Sequence, residues 1–392
     1  MDEIKMLRDR HEAEPAPSPE VVAAARARLA AHTRSHTASH TLSHTPSESR
    51  GRRRGLRSPW PAVAGLGLTA AAATVAIAMA VTSGTSPSGT GATPTREVQL
   101  SAGQVLLAAA AKADLQPQTT GRYWHTSTRS SWVLRVGTQA NPYLLSEGST
   151  DDMWLAREPV HGTSWSWRQE LGVKPLTVAD AAAWKRAGSP AMVKMINRGV
   201  AGKQVPIRPP GKVTGGRTDP TGPGDAIYAI GPKNVTMKDL LALPADPGRL
   251  KAYLLSMYKG HGTESSGQAM SADVWLFTVS SGLVMGMPAK PAVRAAAYRM
   301  LSKLPGVTVI GTVKDPAGRS GTAIAINERS TYNGVVQHRL IIDRESGRAL
   351  ASEEVALKPA GTTEGFPPGT VFAHSVYQAN GWTDDKPHPP TP

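Results

Sequence analysis

The sequence predicts an α+β fold: an extracytoplasmic domain built on an antiparallel, curved β-sheet with inserted helices, preceded by one transmembrane helix and a short cytoplasmic helix. Three observations lead to this prediction. A long uncharged run follows a cluster of arginines, segments after residue 121 alternate apolar and polar residues, and stretches of helical periodicity separate two sets of such segments.

The uncharged run is long enough to cross a membrane. No Asp, Glu, Lys or Arg occurs from position 58 to 95, and Trp60 to Val81 is a largely apolar stretch of 22 residues. At about 1.5 Å per residue, a helix of this length spans a bilayer core of about 30 Å. Two alternatives stay open, namely cleavage at the small-x-small pattern of residues 78–80 and a buried helix of a soluble protein.

Basic residues on one side of this run predict its orientation. Lys and Arg concentrate at the cytoplasmic ends of membrane helices, and none follows the run before Arg96. We therefore expect a single-pass protein of the cell membrane with a cytoplasmic N-terminus and an extracytoplasmic C-terminal domain. The orienting residues are Arg50, Arg52, Arg53, Arg54 and Arg57.

The segment before the arginines contains one predicted helix and a histidine repeat. Ser18, Pro19 and Glu20 supply an N-cap, a first-turn proline and a first-turn acid, so residues 19–31 are predicted to be helical. On a helix, the repeated histidines would share one face and could bind zinc or nickel. Ser and Thr surround them without a carboxylate, which favours a disordered linker instead. The repeat consists of His32, His36, His40 and His44.

These features divide the chain into six predicted parts. A Ser/Gly/Thr/Pro tether follows the membrane span, and the folded domain begins after it. The parts are a cytoplasmic segment (1–31), a His/Ser/Thr and Arg-rich linker (32–57), the transmembrane helix (58–82), the tether (83–96), the extracytoplasmic α+β domain (97–380) and a disordered tail (381–392).

The first part of the domain is predicted to be a helix and a set of strands. Ser101 can cap a helix in which Val105, Leu106 and Ala109 are spaced helically. From Gly121 the period changes to the alternation of half-buried strands, which carry five of the nine tryptophans. These are Trp124, Trp132, Trp154, Trp165 and Trp167.

Helices and a closing set of strands are predicted for the rest of the domain. A short helix covers 177–188, and an irregular Pro/Gly-rich surface loop follows at 208–225. Thr236 and Asp246 then cap two helices, and two more precede Pro305. The closing strands are expected to pair antiparallel across the turn sequences at 315–318 and 343–347.

The order of these pieces resembles actinobacterial single-pass membrane proteins of unknown function. The resemblance covers most of residues 1–380 and rests on "PSPEVVAAARARL", "GRYWHTST", "LPADPGRLKAYLL", "VRAAAYRMLSKLPGV", "GTVKDPAGRSGTAIAI" and "LIIDRESGRALASEE". Genes of such families often lie near those of extracytoplasmic-function sigma factors, which implies an envelope regulatory role. The closing strands also resemble the curved sheet of lipoprotein-carrier and RseB-like periplasmic sensor domains, which implies that fold.

Composition excludes several classes of chemistry. The chain has no cysteine, so it has no disulfide, thiolate metal site or cysteine nucleophile. Its net charge is +14, but the charges of the outer domain are interspersed without a Lys/Arg run or an aromatic platform. This argues against nucleic acid as a partner and favours attraction to an anionic cell wall or lipid head group.

No catalytic motif is visible in the chain. The histidines of the outer domain are scattered, although His338 and His374 in the closing strands could meet in space. The paired acids at 151–152 and 353–354 would face opposite sides of a strand. We therefore predict no catalytic residue, no cofactor and no metal site.

Two classes of function stay open at this point. The first is a non-enzymatic, membrane-anchored sensor or binding module whose tryptophans contact an apolar or lipidic ligand or an envelope protein, although the same rings could simply form core. The second is an envelope hydrolase with dispersed catalytic residues. An accessory regulator of a sigma/anti-sigma pair, acting through residues 19–31, is a further alternative.

Overall fold

The computed structural model describes residues 100–158, 164–197, 201–218, 226–231, 233–262 and 268–390. The chain divides between Thr90 and Gly91, and all of the described residues belong to the C-terminal unit. The predicted cytoplasmic helix, histidine repeat, arginine cluster, membrane span and tether lie outside the described residues. In the part of the chain that is described, no helix has the length and apolar character needed to cross a membrane.

The described part opens with the predicted helix, α1 (Ala102–Asp114). Ser101 accepts a hydrogen bond from the backbone N–H of Gln104, whose side chain accepts one from the backbone N–H of Ser101. Such a cap contributes about 1 kcal/mol to helix stability. Val105, Leu106 and Ala109 are buried, as their spacing predicted.

The first strands follow in sequence order and pair antiparallel with their neighbours. They are β1 (Tyr123–Gly137), β2 (Pro142–Ala156) and β3 (Ser164–Pro175). Helix α2 (Val178–Arg186), capped by Thr177, and the short hairpin of β4 (Met192–Lys194) and β5 (Gln204–Pro206) come next.

The stretch 208–225 was predicted to be an irregular loop, and this is wrong for residues 214–218. They form strand β6 (Thr214–Thr218), which pairs antiparallel with β3. Its sequence lacks apolar alternation because the two backbones approach closely. A Cβ on Gly215 would lie only 2.1 Å from the carbonyl oxygen of Ser166, and the φ angle of Gly215 is 133°, so glycine is required there.

The middle of the chain supplies a hairpin and four helices. The hairpin consists of β7 (Ala226–Ile230) and β8 (Lys233–Thr236). The predicted caps are confirmed, because Thr236 precedes α3 (Met237–Leu241) and Asp246 precedes α4 (Pro247–Leu255). Helices α5 (Ala272–Met285) and α6 (Pro291–Leu301) follow, and α6 ends before Pro305 as expected.

The closing strands form the predicted antiparallel meander. They are β9 (Thr308–Lys314), β10 (Ser320–Ser330), β11 (Gly334–Ile342), β12 (Ala349–Pro359) and β13 (Thr370–Thr383). In the first predicted turn, Asp315 accepts hydrogen bonds from the backbone N–H groups of Ala317 and Arg319. Strand β13 continues past residue 380, where the sequence placed the end of the domain.

One nine-stranded sheet unites the two sets of strands, in the order β6-β3-β2-β1-β13-β12-β11-β10-β9. The two sets meet because β1 pairs antiparallel with β13, so that Trp124 lies directly opposite Trp382. The α+β class, dominated by a large antiparallel sheet with few helices, is therefore confirmed.

The main core lies between one face of this sheet, here called the helix face, and the helices. Trp124, Leu155, Ile324 and Leu340 point from the helix face into the core. Helix α5 supplies much of its other side, since nine of its residues are buried, including the large side chains Trp275, Leu276 and Phe277. A smaller separate core joins α2 and the β4–β5 hairpin to β1, β2 and β3.

Candidate functional site

A cleft of about 690 Å³ opens where the ends of several elements converge. The end of α1 and the segment after it form one side, and the start of α6 forms another. The turn between β11 and β12 and the ends of β1, β2 and β13 complete its wall. Because these segments are far apart in sequence, only the folded chain assembles the cleft.

Two indole rings form the aromatic wall of the cleft. Trp124 and Trp382 are cross-strand neighbours whose ring centroids lie 5.4 Å apart, edge to face at 71°. The indole Nε1 of Trp124 donates a hydrogen bond to the carbonyl oxygen of Gly286 at 2.8 Å, which fixes its ring. The guanidinium of Arg157 lies 6.0 Å from the centre of the Trp382 ring, in reach of a cation–π contact.

Positive charge dominates the rest of the lining. Five cations line the cleft together with one carboxylate, that of Glu345. Among the described residues, none of the five forms an ion pair with a carboxylate. The cations are Lys112, Arg157, Lys290, Arg294 and Arg348.

Arg294 differs from the other four because it is partly buried. Its Nη2 donates to the neutral side-chain oxygen of Gln116 at 2.8 Å. Burial is the main cause that lowers the pKa of the Arg294 guanidinium; Tyr298 opposes this effect, and the neighbouring charge of Arg348 lowers the pKa by a smaller amount. An arginine nevertheless stays protonated in proteins, so Arg294 is a charge that no carboxylate in the described part of the chain pairs with.

Three further cavities share lining residues with the cleft. A recess of about 20 Å³, which shares Gln116, Arg294, Arg348 and Asn380 with the cleft, is large enough for one water molecule. Cavities of about 670 and 520 Å³ share Arg157 with the cleft.

The five predicted contact tryptophans do not share one surface. Trp124 lines the cleft, although only 3% of its surface is exposed. Trp154 lies opposite His125 and Trp165, so it faces away from the helix face by strand alternation. Trp154 and Trp167 are also buried, at 2% and 5% exposure. Truncation of these rings is therefore expected mainly to lower the free energy of unfolding.

The other two predicted rings differ in exposure. Trp165 is half-buried and stacks on Trp167, with centroids 5.7 Å apart at 16°. Trp132, by contrast, is 45% exposed in the middle of β1 and does not line the cleft. The membrane-orienting arginines at 50–57 lie outside the described residues.

A polar cluster surrounds Trp154 on the face opposite the helices. Asp152 accepts hydrogen bonds from Nε1 of Trp154 at 2.7 Å and from Nε2 of His125 at 3.1 Å, and Ser127 donates to it as well. The His125 ring stacks on Trp154 with centroids 4.0 Å apart. Asp152 thus anchors the ring by satisfying its N–H.

The remaining titratable candidates are separated by strand alternation. Asp151 forms an ion pair with Arg168 while its neighbour Asp152 pairs with His125, which confirms that these acids face opposite sides. The two closing-strand histidines do not meet. His338 bonds Glu328 at 2.7 Å and lies opposite Glu354, whereas His374 lies opposite Glu353 on the other face.

Metal ligands are not grouped in the part of the chain that the structure describes. Within it, no cluster of three or more His, Cys, Asp or Glu side chains is placed to hold a metal ion. The histidine repeat at 32–44 lies outside the described residues.

The cationic part of the cleft was missed from the sequence. Its members come from α1, the end of β2, α6 and the segment between β11 and β12, so no local run marks them. One local signal was present in α6, which begins with Lys290 as N-cap, has no acid in its first turn and carries Arg294 early. Cations at a helix start oppose the helix dipole, which suggests another role for them.

The fold and the cleft define an α+β protein with one large antiparallel sheet and a cationic, tryptophan-walled cleft at the ends of its strands. Comparisons with protein-family models, with curated proteins and with solved structures found no match to this chain. The chemistry of the cleft therefore carries the functional proposal.

Proposed function

We propose that this protein is a membrane-anchored sensor or binding module of the cell envelope that holds an apolar or lipidic ligand in the cleft without transforming it. The observation that carries the proposal is the cleft itself, whose volume of about 690 Å³ falls within the usual range for ligand pockets, roughly 300–1,000 Å³. The segment at 58–82 would anchor it and the tether at 83–96 would hold the domain off the bilayer.

The wall of the cleft suits a lipid-like ligand. Trp382, which is half-buried, presents rigid aromatic surface at small entropic cost, with Trp124 packed behind it, and Leu115, which is 80% exposed, adds an aliphatic side chain at the lining. An exposed leucine and a half-exposed indole in one lining leave apolar surface in water that a bound chain would cover.

Binding fits the lining better than catalysis does. The pairs His125–Asp152 and His338–Glu328 have the chemistry of acid–base groups, but neither pair lines the cleft. The charged groups that do line it are mainly Lys and Arg, which stay protonated near neutral pH and attract anions. We therefore propose a non-enzymatic role.

Photo-crosslinking in native membranes tests this proposal on the full-length chain. Cells are supplied with a photoreactive fatty acid that carries an alkyne, the protein is purified after irradiation, and labelled peptides are mapped by mass spectrometry. We expect labels in the peptides around Leu115 and Pro291, in addition to the predicted membrane span. Replacing Leu115 by Ser should lower the labelling of these peptides several-fold.

A matched control uses another exposed aliphatic residue. Val178 is 89% exposed at the start of α2 and does not line the cleft, so Val178→Ser should leave the labelling unchanged. Labels confined to residues before Leu100, or an equal loss in both variants, would contradict binding in the cleft.

The proposed anchoring makes a separate prediction about topology. Protease added to intact protoplasts should remove the domain after residue 96 and spare an epitope tag at residue 1, because the arginines at 50–57 favour the cytoplasmic side. Immunoblotting for tags at both ends measures this, and permeabilised cells control for protease access. Survival of the C-terminal tag in intact protoplasts would refute the orientation.

A further inference from the structure

We propose that Arg294 and Arg348, with the ammonium groups of Lys112 and Lys290, form a binding site for a phosphate group within the cleft. The phosphate would be either the head group of an amphiphile or a free phosphate ion. The inference rests on the proposed function, because it names the charged part of the ligand that the same cleft would hold.

The balance of charge is the first argument. Five cations and one carboxylate line a single concave surface, and concave walls of low polarity focus the electric field of such charges. The two guanidinium groups also repel each other, as the effect of Arg348 on the pKa of Arg294 indicates. A bound anion would offset this repulsion and supply negative charge where the described lining has only the carboxylate of Glu345.

The position of Arg294 is the second argument. It projects from the second turn of α6, a rigid element, and Gln116 holds one of its nitrogens. Gln116 is itself fixed, since its Nε2 donates to the carbonyl oxygen of Ser346 at 3.3 Å. A guanidinium has five N–H donors, so most of its donors can still serve a ligand.

Arg348 is held in the same manner. Its Nη2 donates to the backbone oxygen of Asn380 at 3.3 Å and to the side-chain oxygen of that residue. Asn380 in turn donates to the carbonyl oxygen of Met285 at the end of α5. Neutral amides therefore orient both guanidinium groups, which positions the charges without neutralising them.

The number of donors favours phosphate over a carboxylate. A phosphate monoester presents three acceptor oxygens and a charge between about −1 and −2, whereas a carboxylate presents two oxygens and a single charge. Arginine forks match phosphate oxygens in pairs, and lysine adds a point charge. Two arginines and two lysines around one space therefore fit a phosphate group.

The same geometry leaves the rest of an amphiphile on apolar surface. The lining that includes Arg294 and Arg348 also includes Trp124, Trp382 and Leu115. A phosphate held by the arginines would direct an attached chain along these side chains, which combines charge recognition with apolar burial.

Reconstitution of the full-length protein in phosphatidylcholine vesicles tests the inference. The vesicles contain a small fraction of either a photoreactive phosphatidic acid or a photoreactive diacylglycerol with the same acyl chains. We expect phosphatidic acid to label the peptides around Leu115 and Pro291 at least about tenfold more strongly than diacylglycerol does. Diacylglycerol lacks the phosphate, and the loss of one charge-assisted hydrogen bond usually weakens binding by about that factor. Raised salt should weaken this labelling but not that by diacylglycerol.

Substitutions on one helix provide the matched comparison. Arg294→Gln should abolish the preference for phosphatidic acid, and Arg294→Lys should restore part of it. Arg299→Gln is the control, because Arg299 lies on the same helix but pairs with Asp114 and does not line the cleft. Arg348→Gln, at an exposed position, repeats the test without disturbing a partly buried side chain.

A second arm separates the two sources of phosphate. Calorimetric titration with inorganic phosphate measures binding of the free ion to the wild type and to Arg294→Gln. Phosphate binding that depends on Arg294, without a preference for phosphatidic acid, would support the site and assign it to a free ion.

Two other results would count against the site. Equal labelling of the cleft by both lipids, with no Arg294-dependent phosphate binding, would overturn the phosphate site and leave the proposed function standing. Absence of cleft labelling by either lipid, with no phosphate binding, would overturn both proposals.

Discussion

Replacement of Trp124 by alanine is expected to lower the free energy of unfolding by about 3–5 kcal/mol, the usual cost of truncating a buried aromatic ring. Trp124 is 3% exposed, belongs to the main core and packs edge to face on Trp382. The substitution also removes the donor to the carbonyl oxygen of Gly286. Urea unfolding of the full-length protein, followed by near-ultraviolet circular dichroism, measures the loss.

Trp132 supplies the control on the same strand. It is 45% exposed, so Trp132→Ala removes less buried surface than Trp124→Ala and leaves a smaller cavity, and its cost should be clearly lower. Similar losses in the two variants would show that Trp124 does not have the packing described above.

Replacement of Asp152 by asparagine is expected to cost about 1–3 kcal/mol at neutral pH, because it removes a buried charged acceptor that serves several donors. Asp152 is 6% exposed and accepts from His125, Ser127 and Trp154. An asparagine has one acceptor oxygen, so at least one donor loses its partner. Chemical unfolding at neutral pH measures the difference from the wild type.

The same substitution should change the pH dependence of stability. Burial alone would raise the pKa of Asp152, but the hydrogen bonds from His125, Trp154 and Ser127 and the charge of His125 together lower it below the ordinary value. A carboxyl with a lowered native pKa contributes stability above its unfolded pKa of about 3.9 and loses it as the pH falls further. The difference between wild type and Asp152→Asn should therefore shrink below about pH 4.

Asp151→Asn is the control for this prediction. Asp151 is the adjacent residue on the opposite face, and its ion pair with Arg168 is substantially exposed to water. Exposed pairs contribute about 0–1 kcal/mol, so the loss at neutral pH should be small. An equal acid dependence in both variants would show that the Asp152 hydrogen bonds do not set it.

Local sequence rules were enough to place most of the elements. Ser101, Thr236 and Asp246 cap helices where the sequence predicted, since a cap depends on residues within one turn. Strand β6 was not predicted because it has no apolar alternation. Its glycines are required by the close approach of the β3 backbone, which the local sequence does not show. Prediction from apolar alternation failed at β6, where a contact with a segment distant in sequence determines the backbone conformation.

The tryptophans show the same division at the level of single side chains. The alternation along β1 and β2 predicted strands that carry these rings. It did not show which part of the protein packs on each face of those strands. The pairing of β1 with β13 brings Trp382 against Trp124 and so creates the aromatic wall of the cleft. Trp154 is buried on the other face, where it donates to Asp152 and packs on the rings of Tyr123, His125 and His388.

By itself, the sequence determined the α+β class, most helix and strand positions and the turns of the closing meander, because caps, periodicity and turn residues act over a few positions. Only the tertiary structure decided which strands join the two halves of the sheet and which cations share a cleft. Arg294 and Arg348 lie far apart in the chain, and their approach depends on the packing of α6 against α1 and on the hydrogen bonds that Gln116 and Asn380 make with them. Packing between such distant segments produces no hydrophobic period or motif in the sequence around Arg294 or Arg348, so the sequence could not predict it.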